Sequence, residues 1–275
     1  MLIALQLNAQ DIDKQTLTDE QNTITYSFSR LRLGIELGAS LLMGEIKKPE
    51  MVRETQSYYN YGDAYYNDYG FISEEKNFGL FYLGVKPEYL LSKRFAVSAG
   101  VRFSYFKANL KSDKDCFLWR TSSNDDTKTN YVSIKSITQK NYYIGIPLEV
   151  RFFPSEKDYA VRPYFLFGTT LNFLITSTND VEFKVSAMGK YSDEIKKNIT
   201  EPNSFHILTY LGAGLKIGKM THPFGSIEVH LPMFTAASSK SNSFVKTDDM
   251  FGIGIRASVH IPLMHNHQLI YTIND

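Results

Sequence analysis

Apolar and polar positions alternate strictly along several stretches of the chain, most clearly across residues 77–111. The apolar face of the first half carries Phe81, Leu83, Val85, Pro87, Tyr89 and Leu91. Side chains on a β-strand point to alternate faces, so the pattern predicts two long strands joined by a turn at residues 92–94. Each strand exceeds ten residues, which matches the ~9–11 tilted residues that cross a bilayer.

Six further stretches show the same alternation, at about residues 26–41, 141–153, 161–175, 204–218, 226–233 and 251–261. Long polar segments at about 46–76, 112–138, 179–203 and 237–248 alternate with short turns. This order is typical of an antiparallel up-and-down barrel, with long loops at one rim and short turns at the other. The prediction is therefore an all-β, eight-stranded transmembrane β-barrel with four long loops.

The distribution of charge decides which face of each predicted strand points outward. One face is apolar and free of charge through the middle of each strand, whereas the other carries the charged residues and most of the glycines. A soluble lipocalin-like barrel would place its charges outside. Lipid demands the opposite, because an outward Arg or Lys at the bilayer centre costs ~2–4 kcal/mol. The pattern predicts a barrel in the bacterial outer membrane, with lipid around it.

Composition and the chain ends add a domain outline. Residues 1–10 resemble the end of a secretory signal, 11–25 a polar periplasmic lead-in, 26–263 the barrel and 264–275 a polar tail. An apolar N-terminal strand is the alternative for the first segment. A net charge of +1 gives no support for a nucleic-acid partner, and the single Cys116 excludes an internal disulfide.

Eleven charged residues lie on the face assigned to the interior: Arg32, Glu36, Lys86, Glu88, Arg102, Glu149, Arg151, Arg162, Lys216, Glu228 and Arg256. An eight-stranded barrel is just wide enough for its own side chains, and buried charges must be paired. We therefore expect a salt-bridged filling rather than a polar path. Basic residues outnumber acidic ones in this set, so some must reach water, tyrosine hydroxyls or loop carboxylates.

Two other groups are candidates for function. His206, His230 and His260 also face inward, but their spacing does not predict a metal site, and no cofactor is expected. The first long loop contains Tyr58, Tyr59, Tyr61, Tyr65, Tyr66 and Tyr69. These tyrosines could form a recognition surface or an aromatic belt at the membrane interface.

The strand motifs resemble a family: the outer-membrane β-barrel proteins of Bacteroidetes, which include the PorT-like secretion-associated barrels. The resemblance covers residues 26–263 and rests on YLGVKPEYLLSKRFAVSAGVRFSY, IGIPLEVRFF, GAGLKIG and FGIGIRASV. It implies a non-enzymatic subunit of a secretion or outer-membrane assembly complex, with other envelope proteins as partners. The alternatives are a stand-alone surface barrel whose loops bind a ligand or host surface and, third, a lipid-modifying enzyme.

Overall fold

The computed structural model describes residues 15–17, 24–26, 30–46, 49–53, 72–74, 77–112, 116–121, 130–199, 201–220, 222–237 and 245–263. The strands are β1 (Gln15–Leu17), β2 (Ile24–Tyr26), β3 (Leu31–Ile46), β4 (Val52–Arg53), β5 (Ile72–Glu74), β6 (Asn77–Leu90), β7 (Phe95–Ala99), β8 (Val101–Ser112), β9 (Phe117–Thr121), β10 (Asn130–Phe152), β11 (Val161–Phe183), β12 (Phe205–Ile217), β13 (Phe224–Ala237) and β14 (Val245–Pro262). A 3-10 helix, Ser186–Tyr191, and helix α1, Ser192–Asn198, follow β11.

Antiparallel pairing runs around a ring of eight barrel strands, which are called staves because β7 and β8 together form one of them, interrupted at Gly100. The order is β3, β6, β7–β8, β10, β11, β12, β13 and β14, and β14 pairs with β3 again. This last pairing joins the beginning and the end of the barrel, with Gly254 opposite Ser40 and Ala257 opposite Leu37. The predicted eight-stranded up-and-down topology is confirmed.

Aromatic pairs mark both edges of an apolar outer band. Phe95 and Phe152 have ring centroids 5.1 Å apart beside the short turns, and Tyr105 and Tyr142 have centroids 5.3 Å apart toward the long-loop rim. The eleven residues from Phe95 to Tyr105, tilted as in other small barrels, span about 25 Å along the barrel axis. That height equals the lipid-facing band of outer-membrane barrels.

The strands continue beyond this band, and their two faces exchange character there. Along β10, Ile144 and Leu148 are exposed on the outer wall of the band, while Glu149 faces the interior. Above the band Lys135 is exposed, and Ile134 is buried inside. The barrel is therefore organised as a membrane protein in its lower part and as a water-soluble β-structure in its upper part.

An apolar core fills the interior of the upper part. It contains Trp119 from β9, Ile134 and Ile137 from β10, and Ile195 from α1, all fully buried. Helix α1 thus folds over the long-loop end with its apolar side chain inward. Among the described helices, none is long and apolar enough to cross a membrane.

Several predicted loop bounds are wrong. Residues 130–138, assigned to a loop, form the first part of β10, and residues 117–121 form β9. The segment 179–203 contains the end of β11 and both helices, and β14 begins at Val245 inside the predicted fourth loop. A register shift between Ile134 and Ser136 breaks the period of two, and polar residues such as Ser133, Lys135 and Thr138 replace the aliphatic outer face. Both effects hide a strand from a search for alternating apolar residues.

Candidate functional site

All eleven charged residues predicted to face the interior are buried there. They occupy the membrane-spanning part of β3, β6, β8, β10, β11, β12, β13 and β14, each on the face opposite the apolar wall. The strands bring them together because alternate residues of every stave point to the same narrow lumen. The result is a network of ion pairs that extends from the middle of the barrel to the short-turn rim.

Glu149 on β10 is the centre of this network. Its carboxylate lies 2.5 Å from Lys86 Nζ and 3.2 Å from Arg102 Nη2, and it also contacts the guanidinium of Arg256. Glu36 on β3 contacts the same three cations, at 2.8, 2.7 and 3.1 Å respectively. Two carboxylates and three cations therefore form a single cluster across the middle of the lumen.

A second cluster lies nearer the short turns. Arg151 connects Glu88 on β6, 2.7 Å away, with Glu228 on β13, also 2.7 Å away. Arg32 lies 3.3 Å from Glu88, and Glu228 additionally pairs with Arg256. The shared Arg256 joins the two clusters into one network.

The excess of basic residues is compensated in ways that strand alternation alone does not specify. Lys216 pairs with Asp158, a carboxylate from the turn between β10 and β11. Arg162 donates to the backbone oxygens of Lys93 and Ser155 at the same rim. Some of these cations were expected to pair with carboxylates of the loops. Lys216 does so, although its partner Asp158 lies in a short turn and not in a long loop.

Tyrosine side chains complete the network, in addition to the eleven charged residues predicted from the sequence. Tyr210 donates to Glu149 and Tyr164 to Glu228, each over 2.6 Å. The guanidinium of Arg102 lies 4.3 Å from the ring centroid of Tyr82. The sequence does place these tyrosines on the inward face: Tyr82 on β6, Tyr164 on β11 and Tyr210 on β12 alternate with outward apolar residues, at the level of the charged residues.

The three inward histidines are separate from one another. His206 packs edge-on to Tyr143 with ring centroids 4.6 Å apart, and His230 lies 3.2 Å from the Ser40 hydroxyl. His260 Nδ1 lies 3.8 Å from a carboxylate oxygen of Glu88. Within the part of the chain that the structure describes, no group of three or more His, Cys, Asp or Glu side chains is placed to hold a metal ion.

The upper parts of β10 and β11, residues 130–141 and 174–183, pair as a two-stranded extension above the apolar band. This extension is called the hairpin arm because the two strands belong to one hairpin, whose turn lies at the short-turn rim. Its polar face carries Lys135 with Glu182 at 2.9 Å and Lys140 with Asp180 at 2.5 Å. The hydrogen bond to Asp180 raises the pKa of Lys140, and hydrogen bonds from Lys135 and Ser136 lower the pKa of Glu182. Lys140 and Glu182 therefore remain charged at neutral pH. The tyrosines of the first loop, 58, 59, 61, 65, 66 and 69, lie outside the described residues.

Comparison with known proteins gives a likeness of fold. No protein-family model and no curated protein matches the chain. Among solved structures it is similar to Neisserial surface protein A (NspA), with 10% identity, a TM-score of 0.41 and coverage of 86% of this chain and 100% of that one. It is also similar to the outer membrane protein OprG from Pseudomonas aeruginosa, with 11% identity, a TM-score of 0.37 and coverage of 84% and 97%.

The class of protein follows from the geometry of the chain itself. It has an even number of antiparallel staves and an uncharged outer band about 25 Å tall with aromatic edges, and at the level of this band its charges are confined to the interior. These features together define a transmembrane β-barrel of the bacterial outer membrane. In that orientation the short turns face the periplasm, and the upper part with its hairpin arm lies outside the cell.

Proposed function

We propose that the protein is a non-enzymatic, non-conducting anchor in the outer membrane, which serves as an accessory subunit of an envelope secretion or assembly complex. The observation that carries this proposal is the filled interior. Ion pairs cross the lumen in its membrane-spanning part, and an apolar core occupies the extracellular part. A barrel filled at both levels has its functional surface on the outside.

The hairpin arm is the part of that surface best suited to a partner. It projects beyond the apolar band, and Ile134 and Ile137 on its inner face pack into the upper core. Its exposed ion pairs offer both signs of charge at fixed positions. A partner can therefore dock on a preformed surface and does not have to order it on binding. The resemblance of the strand motifs to secretion-associated barrels supports a complex as the setting.

The test is affinity purification of the tagged protein from gently solubilised outer membranes, followed by native sizing. We expect a discrete complex with one or more partners at a fixed ratio. Replacing Lys135 and Lys140 of the arm by Glu should reduce recovery of the partner. The control replaces the exposed Lys219 of the periplasmic turn between β12 and β13 by Glu, and it should leave recovery unchanged. Recovery of a lone barrel near its own mass would contradict the proposal.

The exposure of the arm also favours a second candidate, a stand-alone surface protein that binds a ligand or host surface. In that case the barrel purifies alone, and cells that carry the Lys135→Glu and Lys140→Glu variant lose surface binding with unchanged insertion. The third alternative, a lipid-modifying enzyme, requires a base near lipid. His206, His230 and His260 are all buried inside the barrel, away from the lipid-facing wall.

A further inference from the structure

A groove of about 510 Å³ runs across the lipid-facing wall near the periplasmic rim. It crosses five staves, from β3 through β6, β7 and β10 to β11. Its lining is apolar and includes Leu31, Tyr89, Ala99, Leu148, Val150 and Phe167. A depression of this size is unexpected on a barrel, because the outer wall of a closed sheet is convex.

Small side chains in one row of the sheet create the groove. Val97, Val150 and Phe167 form one row of outward neighbours across the staves. The next row toward the membrane centre contains Ala99, Leu148 and Thr169. Ala99 and Thr169 leave room that the larger side chains on both sides do not fill. The groove therefore has an open floor at Ala99 and walls of branched and aromatic side chains.

Cations lie at the periplasmic end of the groove. The turns that continue its staves are residues 91–94 and 153–160, and they carry exposed Lys93, Arg94 and Lys157. Of the two carboxylates on these turns, Glu156 lies 2.9 Å from Arg94. The other, Asp158, is bound to Lys216 of the lumen. Lys93 and Lys157 thus give this part of the rim a positive potential at the height of lipid headgroups.

We propose that the groove binds an acyl chain of an anionic phospholipid of the inner leaflet, whose phosphate is held at Lys93 and Lys157. The wall around the groove is solvated by lipid chains, so an acyl chain is the occupant that its apolar lining fits. Lysines near a membrane surface attract anionic headgroups, and the turns that carry Lys93 and Lys157 continue the staves that line the groove. Tyr89, at the lower edge, adds a hydroxyl at the level of the lipid ester groups.

The test for the headgroup is native mass spectrometry of the full folded protein in detergent. Phosphatidylglycerol and phosphatidylcholine with identical chains are titrated separately. We expect saturable retention of one phosphatidylglycerol and weaker retention of phosphatidylcholine. Replacing Lys93 and Lys157 by Gln should weaken phosphatidylglycerol retention roughly thirtyfold and leave phosphatidylcholine retention unchanged. Equal retention of the two lipids by the native protein, or an unchanged affinity in the double variant, would overturn the headgroup assignment.

The acyl-chain site is tested by a substitution that fills the groove with a larger side chain. Ala99→Phe places a ring on its floor and should abolish retention of phosphatidylglycerol. Ala257→Phe makes the same change at an exposed outward alanine of β14, away from the groove, and should retain the lipid. The heat-dependent mobility of both variants on gels verifies that they are folded. Retention by a folded Ala99→Phe variant equal to that of the control would exclude the groove as the site.

Discussion

Arg151 and Glu228 lie 2.7 Å apart, although two staves separate β10 from β13 around the barrel. Their side chains therefore meet across the lumen and not along the wall. The same is true of Arg256 and Glu149, on β14 and β10. Buried pairs of this kind add little net stability when complete, but the loss of one partner leaves an uncompensated charge.

Glu149→Gln should destabilise the barrel strongly, by about 3–5 kcal/mol, since Lys86, Arg102 and Arg256 would lose a shared carboxylate. The measurement is reversible unfolding by urea in lipid vesicles. Glu182→Gln on the hairpin arm is the matched control, and it should have little effect because its ion pair with Lys135 is exposed. Similar unfolding midpoints for the two variants would contradict a central role for Glu149.

Val101→Arg should impair insertion, because Val101 is exposed on the outer wall near the middle of the apolar band. The expected cost is about 2–4 kcal/mol. Tyr131→Arg should be tolerated, because Tyr131 is an outward residue above the band and its side chain faces water. The fraction of protein that folds into vesicles measures both. An equal fraction for the two variants would show that the boundary of the lipid-facing band is misplaced.

Gly252→Ala should prevent closure of the barrel. A Cβ atom at Gly252 on β14 would lie 2.2 Å from the backbone oxygen of Leu41 on β3, and the pairing of these two strands closes the barrel. Gly225→Ala is the control, because its Cβ would meet the nearest atom, the backbone oxygen of Ser258, at 3.9 Å. Heat-dependent gel mobility reports the folded fraction. A fully folded Gly252→Ala protein would mean that β3 and β14 can separate at this point without loss of the fold.

Ile195→Asp should release helix α1 from the upper core while the membrane-spanning part stays intact. Ile195 is fully buried, and a carboxylate there has no partner of opposite charge in the apolar cluster. Limited proteolysis of residues 186–199 should become faster. Emission of Trp119, the only tryptophan and a fully buried one, should shift to the red. Lys196→Asp, at an exposed neighbour, should change neither readout.

The sequence by itself determined the staves, their order and the side of each that meets lipid. Period-two alternation is a local property, and lipid excludes charge from one face of every strand, so Lys86 and Arg102 could be assigned to the interior before any contact was known. The same argument failed above the membrane. There the wall faces water and the interior is apolar, so the alternation of apolar residues predicts a loop at residues 130–138, where β10 begins.

Only the tertiary structure decided which charges pair and where the groove lies. Glu149 meets Arg256 because closure of the ring brings β10 and β14 face to face across the lumen, a relation between residues far apart in the chain. The groove at Ala99 depends on the register of five staves, which places small side chains from separate strands in one row. Register and closure are collective properties of the sheet, and no single strand encodes them.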